Sequence, residues 1–134
     1  MSSNEARVRS IFETHNRGPE HLLEALEEIF DPEIVWTPAV IGGLEGGSYT
    51  GYEGLRRYYA DREDVFESGK VDVIECEEVG EDKMIAHVLS TGVGRASGAS
   101  LEQELWMLAR LRNGRVLAWT AFNSREAAME AAGA

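Results

Sequence analysis

The hydrophobic period of this chain changes once, near residue 68, and that change does most to limit the folds open to it. Before it, apolar residues recur at helical spacing except in one short strand; after it, the pattern is that of strands. Asn4 to Asn16 places Val8, Ile11 and Phe12 at i, i+3 and i+4, with Ser3 or Asn4 as the predicted N-cap. Arg17-Gly18 stops that helix, and Pro19 suits the first turn of a second, Glu20 to Phe30, with Leu22, Leu23, Leu26, Ile29 and Phe30 on one face. Asp31-Pro32 is expected to end it, because the residue before proline avoids helical torsions. Ile34 to Thr37 reads as a short β-branched strand closed by Pro38, and Tyr52 to Glu67 as a third helix ended by Ser68-Gly69.

Strands follow over 70–79, 83–93, 101–111 and 115–123. Gly80-Glu81-Asp82 makes the first turn, Gly94 to Ser100 the middle connection, and Arg112-Asn113-Gly114 a tight hairpin. Ala127 to Ala132 is a short terminal helix. The fold class is therefore α+β, with three N-terminal helices packed on one face of a curved, mostly antiparallel sheet. With 134 residues, and neither repeats nor an internal linker, residues 1–134 are expected to form one domain.

A net charge of −11 argues against nucleic acid or anionic lipid as a partner and leans toward a neutral or cationic ligand. The acidic residues are spread along helices and strand edges, as on a solvated surface. Cys76, the one cysteine, has no internal disulfide partner and no neighbours at metal spacing, so it reads as packing. Met1 to Ser10 is polar and helical in pattern, and no apolar run has membrane-spanning length. A cytoplasmic protein is the expectation.

Chemistry concentrates in Asp31 to Tyr59. A strand ending in Trp36, a Gly-rich loop over 42–48 and a Tyr-studded helix put aromatic walls around one small space. The loop, with Gly42, Gly43, Gly46 and Gly47, is expected to be irregular and mobile, and it matches no phosphate-binding motif.

The order of elements, with Asn16-Arg17-Gly18, Asp31-Pro32-Glu33-Ile34-Val35-Trp36, Tyr49-Thr50-Gly51-Tyr52-Glu53-Gly54, Ser97-Gly98, Glu102-Gln103, Arg112 to Val116 and Ser124 to Ala128, resembles the nuclear transport factor 2-like superfamily. Within it, the chain is similar to the SnoaL-like or ketosteroid-isomerase-like proteins of bacteria, over nearly its whole length. The resemblance implies a cone-shaped α+β barrel, a deep apolar pocket between sheet and helices, and dimerisation through the outer face of the sheet. It does not imply one reaction, because the superfamily hosts isomerases, cyclases, hydrolases, dehydratases and binding proteins.

Ketosteroid isomerases need an aspartate base and an oxyanion hole made of a tyrosine and a protonated aspartate. Alignment puts Thr37 at the base, Ile11 at the tyrosine and Met107 at the protonated aspartate. Tyr59 matches a supporting tyrosine, but a tyrosine alone cannot deprotonate a carbon acid near neutral pH. That mechanism is not expected here.

Period-2 alternation puts Gln103, Leu105, Met107, Ala109 and Leu111 on one strand face, and Leu117, Trp119, Ala121 and Asn123 on another. Both match the pocket side that the resemblance implies. The expected ligand-binding set is Trp36, Thr37, Tyr49, Tyr52, Tyr58, Tyr59, Gln103, Met107, Trp119 and Asn123. It suits a small hydrophobic or aromatic molecule, with neither metal nor cofactor. Glu102, Glu104, Trp106, Leu108 and Arg110 take the opposite face, read as the homodimer surface. A bulge near the Gly-rich connection would send Glu104 inward.

His87, amid apolar strand residues, is a packed or interface histidine or else a general base. His15 and His21 flank a helix break and are expected to be exposed. Three readings follow. The first is a binding protein without an assigned reaction. The second is a cofactor-free cyclase, isomerase or hydrolase acting on a polyketide- or steroid-like substrate, with His87 or Glu104 working beside Thr37 and Tyr59. The third is an accessory subunit whose sheet face binds another protein. A histidine or glutamate within reach of Tyr59 would favour the enzyme.

Overall fold

The computed structural model describes residues 2–38 and 47–133. Most of the Gly-rich loop lies outside them. Helix α1 spans Ser3–Arg17 and is capped by Ser2, whose Oγ accepts from the Glu5 amide at 3.1 Å, one residue earlier than the sequence suggests. Gly18 ends it at φ 143°, where a side chain is strained, so the Arg17-Gly18 stop is a backbone requirement. Asn16 ties this end to the sheet: its side chain donates to Val71 O at 2.7 Å and accepts from Val71 N at 2.8 Å.

The predicted second helix is two pieces, α2 (Pro19–Glu24) and α3 (Leu26–Ile29), separated by Ala25 at φ −115°, ψ 22°. The predicted end at Asp31-Pro32 also moves. Phe30 already has strand torsions, and β1 runs Phe30–Thr37. Asp31 is buried there, accepting from the Glu33 amide at 2.9 Å and from Arg112 at 3.0 and 3.2 Å. The Glu33 amide, then Arg112, hold the Asp31 carboxyl below its ordinary pKa. Pairs of this kind fix geometry more than they add stability. Here they anchor the start of β1 to the last hairpin.

After β2 (Tyr49–Thr50), α4 covers Gly51–Val65, and the strands β3 (Phe66–Val79), β4 (Lys83–Gly94), β5 (Ser100–Arg112) and β6 (Arg115–Phe122) follow. The predicted meander is thus the larger part of a six-stranded sheet, ordered β2-β1-β6-β5-β4-β3. All neighbours are antiparallel except β1 and β6. Asn113 and Gly114 both have positive φ, 55° and 78°, as the tight hairpin requires. Helices α1 and α4 pack on the concave face, and α5 (Arg125–Ala131) lies on the other side against Ile85.

Bulges bend the sheet. One leaves Ile74 of β3 55% exposed. Another sits where Ala118 pairs with Arg110 but Val116 with Leu111, which leaves Leu117 as the extra residue. Val116 is therefore buried and Leu117 only partly, reversing the strict alternation expected of β6. Near the bend Gly69 pairs with Gly92, where a Cβ on Gly92 would meet Ser68 O at 2.9 Å.

Candidate functional site

Two helical stripes of the same spacing meet over the sheet. In α1 the stripe is Val8, Ile11, Phe12, His15; in α4 it is Leu55, Tyr58, Tyr59, Arg62. Both run i, i+3, i+4, i+7, so each apolar face ends in a basic residue. Between them and the inner sheet face lies a cavity of about 60 Å³. Its floor comes from Val88, Ser90, Leu105, Met107 and Trp119, and its wall from Trp36 and Pro38. Trp36 and Trp119 are register partners on β1 and β6, with parallel rings 5.2 Å apart. Tyr58 and Phe12 pack on this pair, each 5.3 Å from one indole.

A second, wider cavity of about 440 Å³ adjoins the first and shares His15, Tyr59, Arg62 and Phe66 with it. Arg62 stands at this junction. It donates to Tyr58 Oη at 3.2 Å, and its guanidinium lies 5.7 Å from the Phe66 ring centroid. A Cβ on Gly69 would sit 2.7 Å from Arg62 Nη2, so the glycine leaves room for the guanidinium.

His15 is 9% exposed, contrary to the expectation that it faces solvent. The apolar stripe carries it inward, as the seventh residue after Val8. Its Nδ1 lies 3.3 Å from Tyr59 Oη. Burial, then the charge of Arg62, lowers its pKa to about 4, so the ring is neutral near pH 7. Burial pushes the Tyr59 phenol well above its ordinary value, which keeps it protonated. Three buried nitrogens, His15 Nε2, Trp36 Nε1 and Trp119 Nε1, have no hydrogen-bond partner among the described residues. All three residues line the inner cavity.

Of the ten residues expected to bind ligand, Trp36, Tyr58, Tyr59, Met107 and Trp119 line the inner cavity; the other five do not. The Tyr49 hydroxyl donates to Asp61 at 2.8 Å and that of Tyr52 to Phe30 O at 2.9 Å, so both serve the fold. Thr37 is bonded to Ser48 at 2.9 Å, and Gln103 to Asn123 at 3.2 Å, near exposed edges. His87 and Glu104 sit on the outer face, joined by a 2.5 Å contact, with His87 stacked on Trp106 at 4.3 Å. Neither reaches Tyr59; the histidine that does is His15. Sequence reasoning missed His15 and Arg62, although both continue visible stripes. Cys76 is half-buried against the core, and burial raises its pKa. Among the described residues no group of His, Cys, Asp or Glu is arranged to hold a metal, and no helix is long and apolar enough to cross a membrane.

Solved structures share this architecture. An NTF2-like protein of unknown function from Burkholderia pseudomallei K96243 is 20% identical, with a TM-score of 0.78 and 100% of both chains covered. TerC, co-crystallised with polyporic acid, is 16% identical at TM-score 0.76, covering 99% of this chain and 100% of its own. A candidate SnoaL-like polyketide cyclase from Jannaschia sp. CCS1 is 19% identical at TM-score 0.75, covering 98% and 92%. Identities this low carry the fold alone. No curated protein matches the sequence significantly. The sequence model of the SnoaL-like domain matches residues 8–119, from the first core residue of α1 to the stacked tryptophan of β6. The chain therefore belongs to the SnoaL-like domain family.

Proposed function

We propose that this protein binds a small, largely apolar and partly aromatic molecule between α1, α4 and the inner face of the sheet. The observation that carries the reading is the set of unpartnered nitrogens on His15, Trp36 and Trp119, three residues that line one apolar cavity. A buried polar group without a partner costs about 1–3 kcal/mol, and native proteins hold few of them. A molecule with polar atoms on an apolar body would satisfy these groups. The inner cavity of about 60 Å³ is small beside the roughly 300–1,000 Å³ of small-molecule sites. The ligand therefore reaches past Arg62 and Phe66 into the adjoining cavity of about 440 Å³. Crystallisation of the neighbour TerC with polyporic acid agrees with a small-molecule role. Tryptophan emission should shift on titration with steroid-like or polyaromatic compounds, and much less in the Trp36→Phe, Trp119→Phe double variant. Silence across a broad panel would sink the reading.

A second reading, a cofactor-free cyclase, isomerase or hydrolase, is favoured by the His15–Tyr59 contact of 3.3 Å inside the cavity. In the tautomer with its hydrogen on Nδ1, His15 donates to Tyr59 Oη, which leaves Nε2 free to take a proton from a carbon acid and the phenol free to donate to the adjacent oxygen. Consumption of a panel compound by the wild type and its loss in His15→Phe would separate enzyme from binding protein.

The outer sheet face is proposed to meet a second copy of the chain. Helix α5 covers Ile85, while Trp106 and Leu108 stay only partly buried and Arg110 is exposed. Trp106→Asp should give monomers by light scattering, and a dimer that persists removes this assignment.

A further inference from the structure

The groups left unmet around the cavity are of one kind. Trp36 Nε1 and Trp119 Nε1 can only donate. Arg62 can only donate as well, and it carries a charge. Among the described residues Arg62 joins no ion pair; its one side-chain hydrogen bond goes to the Tyr58 hydroxyl. His15 completes the set. The protonated Tyr59 hydroxyl has His15 Nδ1 as its side-chain partner, and donating there leaves the ring hydrogen of a neutral His15 on the unpartnered Nε2. The site thus presents donors and a cation, with no carboxylate lining the inner cavity.

We propose that the ligand binds through an anionic oxygen group, a carboxylate or similar oxyanion on an aromatic body, held by Arg62 where the two cavities join. This rests on the small-molecule reading above and adds the charge class of the ligand. It reverses what the overall charge of −11 suggests, for a reason of distance. Surface carboxylates are screened over about 8 Å in physiological salt, whereas a contact pair in a partly dry cavity is screened much less. The acidic residues Glu20, Glu63 and Glu67 line the outer cavity only. Arg56 and Arg95 line it too, so the outer cavity favours neither sign, and the anion's place is the junction, where Arg62 meets both cavities. The aromatic walls alone would equally suit a cation, but the unpaired guanidinium beside them repels one. Arg62 supplies a fork that matches two carboxylate oxygens, and Gly69 keeps the space for it.

The test compares 2-naphthoate with its uncharged analogue 2-naphthamide by calorimetric titration at pH 7.5. The wild type is expected to bind naphthoate about tenfold or more tightly than naphthamide. In Arg62→Gln the preference should vanish through weaker naphthoate binding, with naphthamide changed by about twofold or less. Arg62→Lys should keep part of the preference. Equal affinity of the two probes for the wild type overturns the anion proposal and leaves the pocket standing. Failure of both probes to bind overturns this proposal, while the small-molecule reading stands or falls on the broad fluorescence panel. Should Arg62→Gln not fold, the wild-type comparison and Arg62→Lys still decide.

Discussion

Trp119→Ala is expected to lower the unfolding free energy by about 3–5 kcal/mol, the range for deleting a buried large aromatic side chain. Trp119 is 1% exposed, stacked on Trp36 and packed on Phe12, so its removal strips contacts from β1, α1 and β6 together. The surroundings cannot readily collapse into the gap, because Trp36 is held in the sheet by its register with β6. The enlarged cavity would join one that already exists, which places the expected loss in the upper half of that range. Urea unfolding measures it as a lower midpoint with little change in slope. Trp119→Phe should cost less than half as much, since a ring still fills part of the space. An alanine variant within about 1 kcal/mol of wild type would mean that this tryptophan is not the keystone of the inner face.

Acid should weaken the protein through His15. In the unfolded chain this histidine titrates near 6.5; in the fold its pKa is about 4. Between those values the unfolded state holds the proton and the native state does not. The stabilisation from keeping His15 neutral is thus complete above pH 6.5 and is lost as pH falls toward 4. At about 1.4 kcal/mol per pH unit, the loss is roughly 3 kcal/mol. Carboxylates also titrate at the acid end, so the informative quantity is a difference. Wild type minus His15→Phe, followed by urea unfolding from pH 7.5 to 4, should fall by that amount. The lost Tyr59 contact adds only a pH-independent offset. A difference that stays flat over this window would mean that His15 is hydrated and free to charge in the native state.

The same two residues show how far sequence reasoning reached. The helical stripe through Val8, Ile11 and Phe12 was legible, and so was the Tyr-rich face of α4. Their continuation to His15 and Arg62 was equally visible in the spacing. What misled was residue type: a histidine beside a helix stop and an arginine late in a helix are ordinarily solvated. Only the meeting of α1 with α4 makes them walls of one cavity. Tyr49 and Tyr52 went the other way. Their place beside Trp36 suggested a pocket, but Asp61 and the Phe30 carbonyl take their hydroxyls. On the outer face, the parity that put Glu104 opposite Met107 agrees with its pairing to His87. In β6 a bulge that nothing in the local pattern announces displaced Leu117.

The switch from helical to strand period near residue 68 thus specified the class of fold, the order of its elements and most of the core, because periodicity is a local property that each segment carries alone. Which donors would be buried without partners, and that an unpaired guanidinium would line the same cavity as the stacked tryptophans, depended on contacts between α1, α4, β1 and β6. Those residues are far apart in the chain. Burial and pairing across such distances are set by how the elements pack, and no window of sequence contains them.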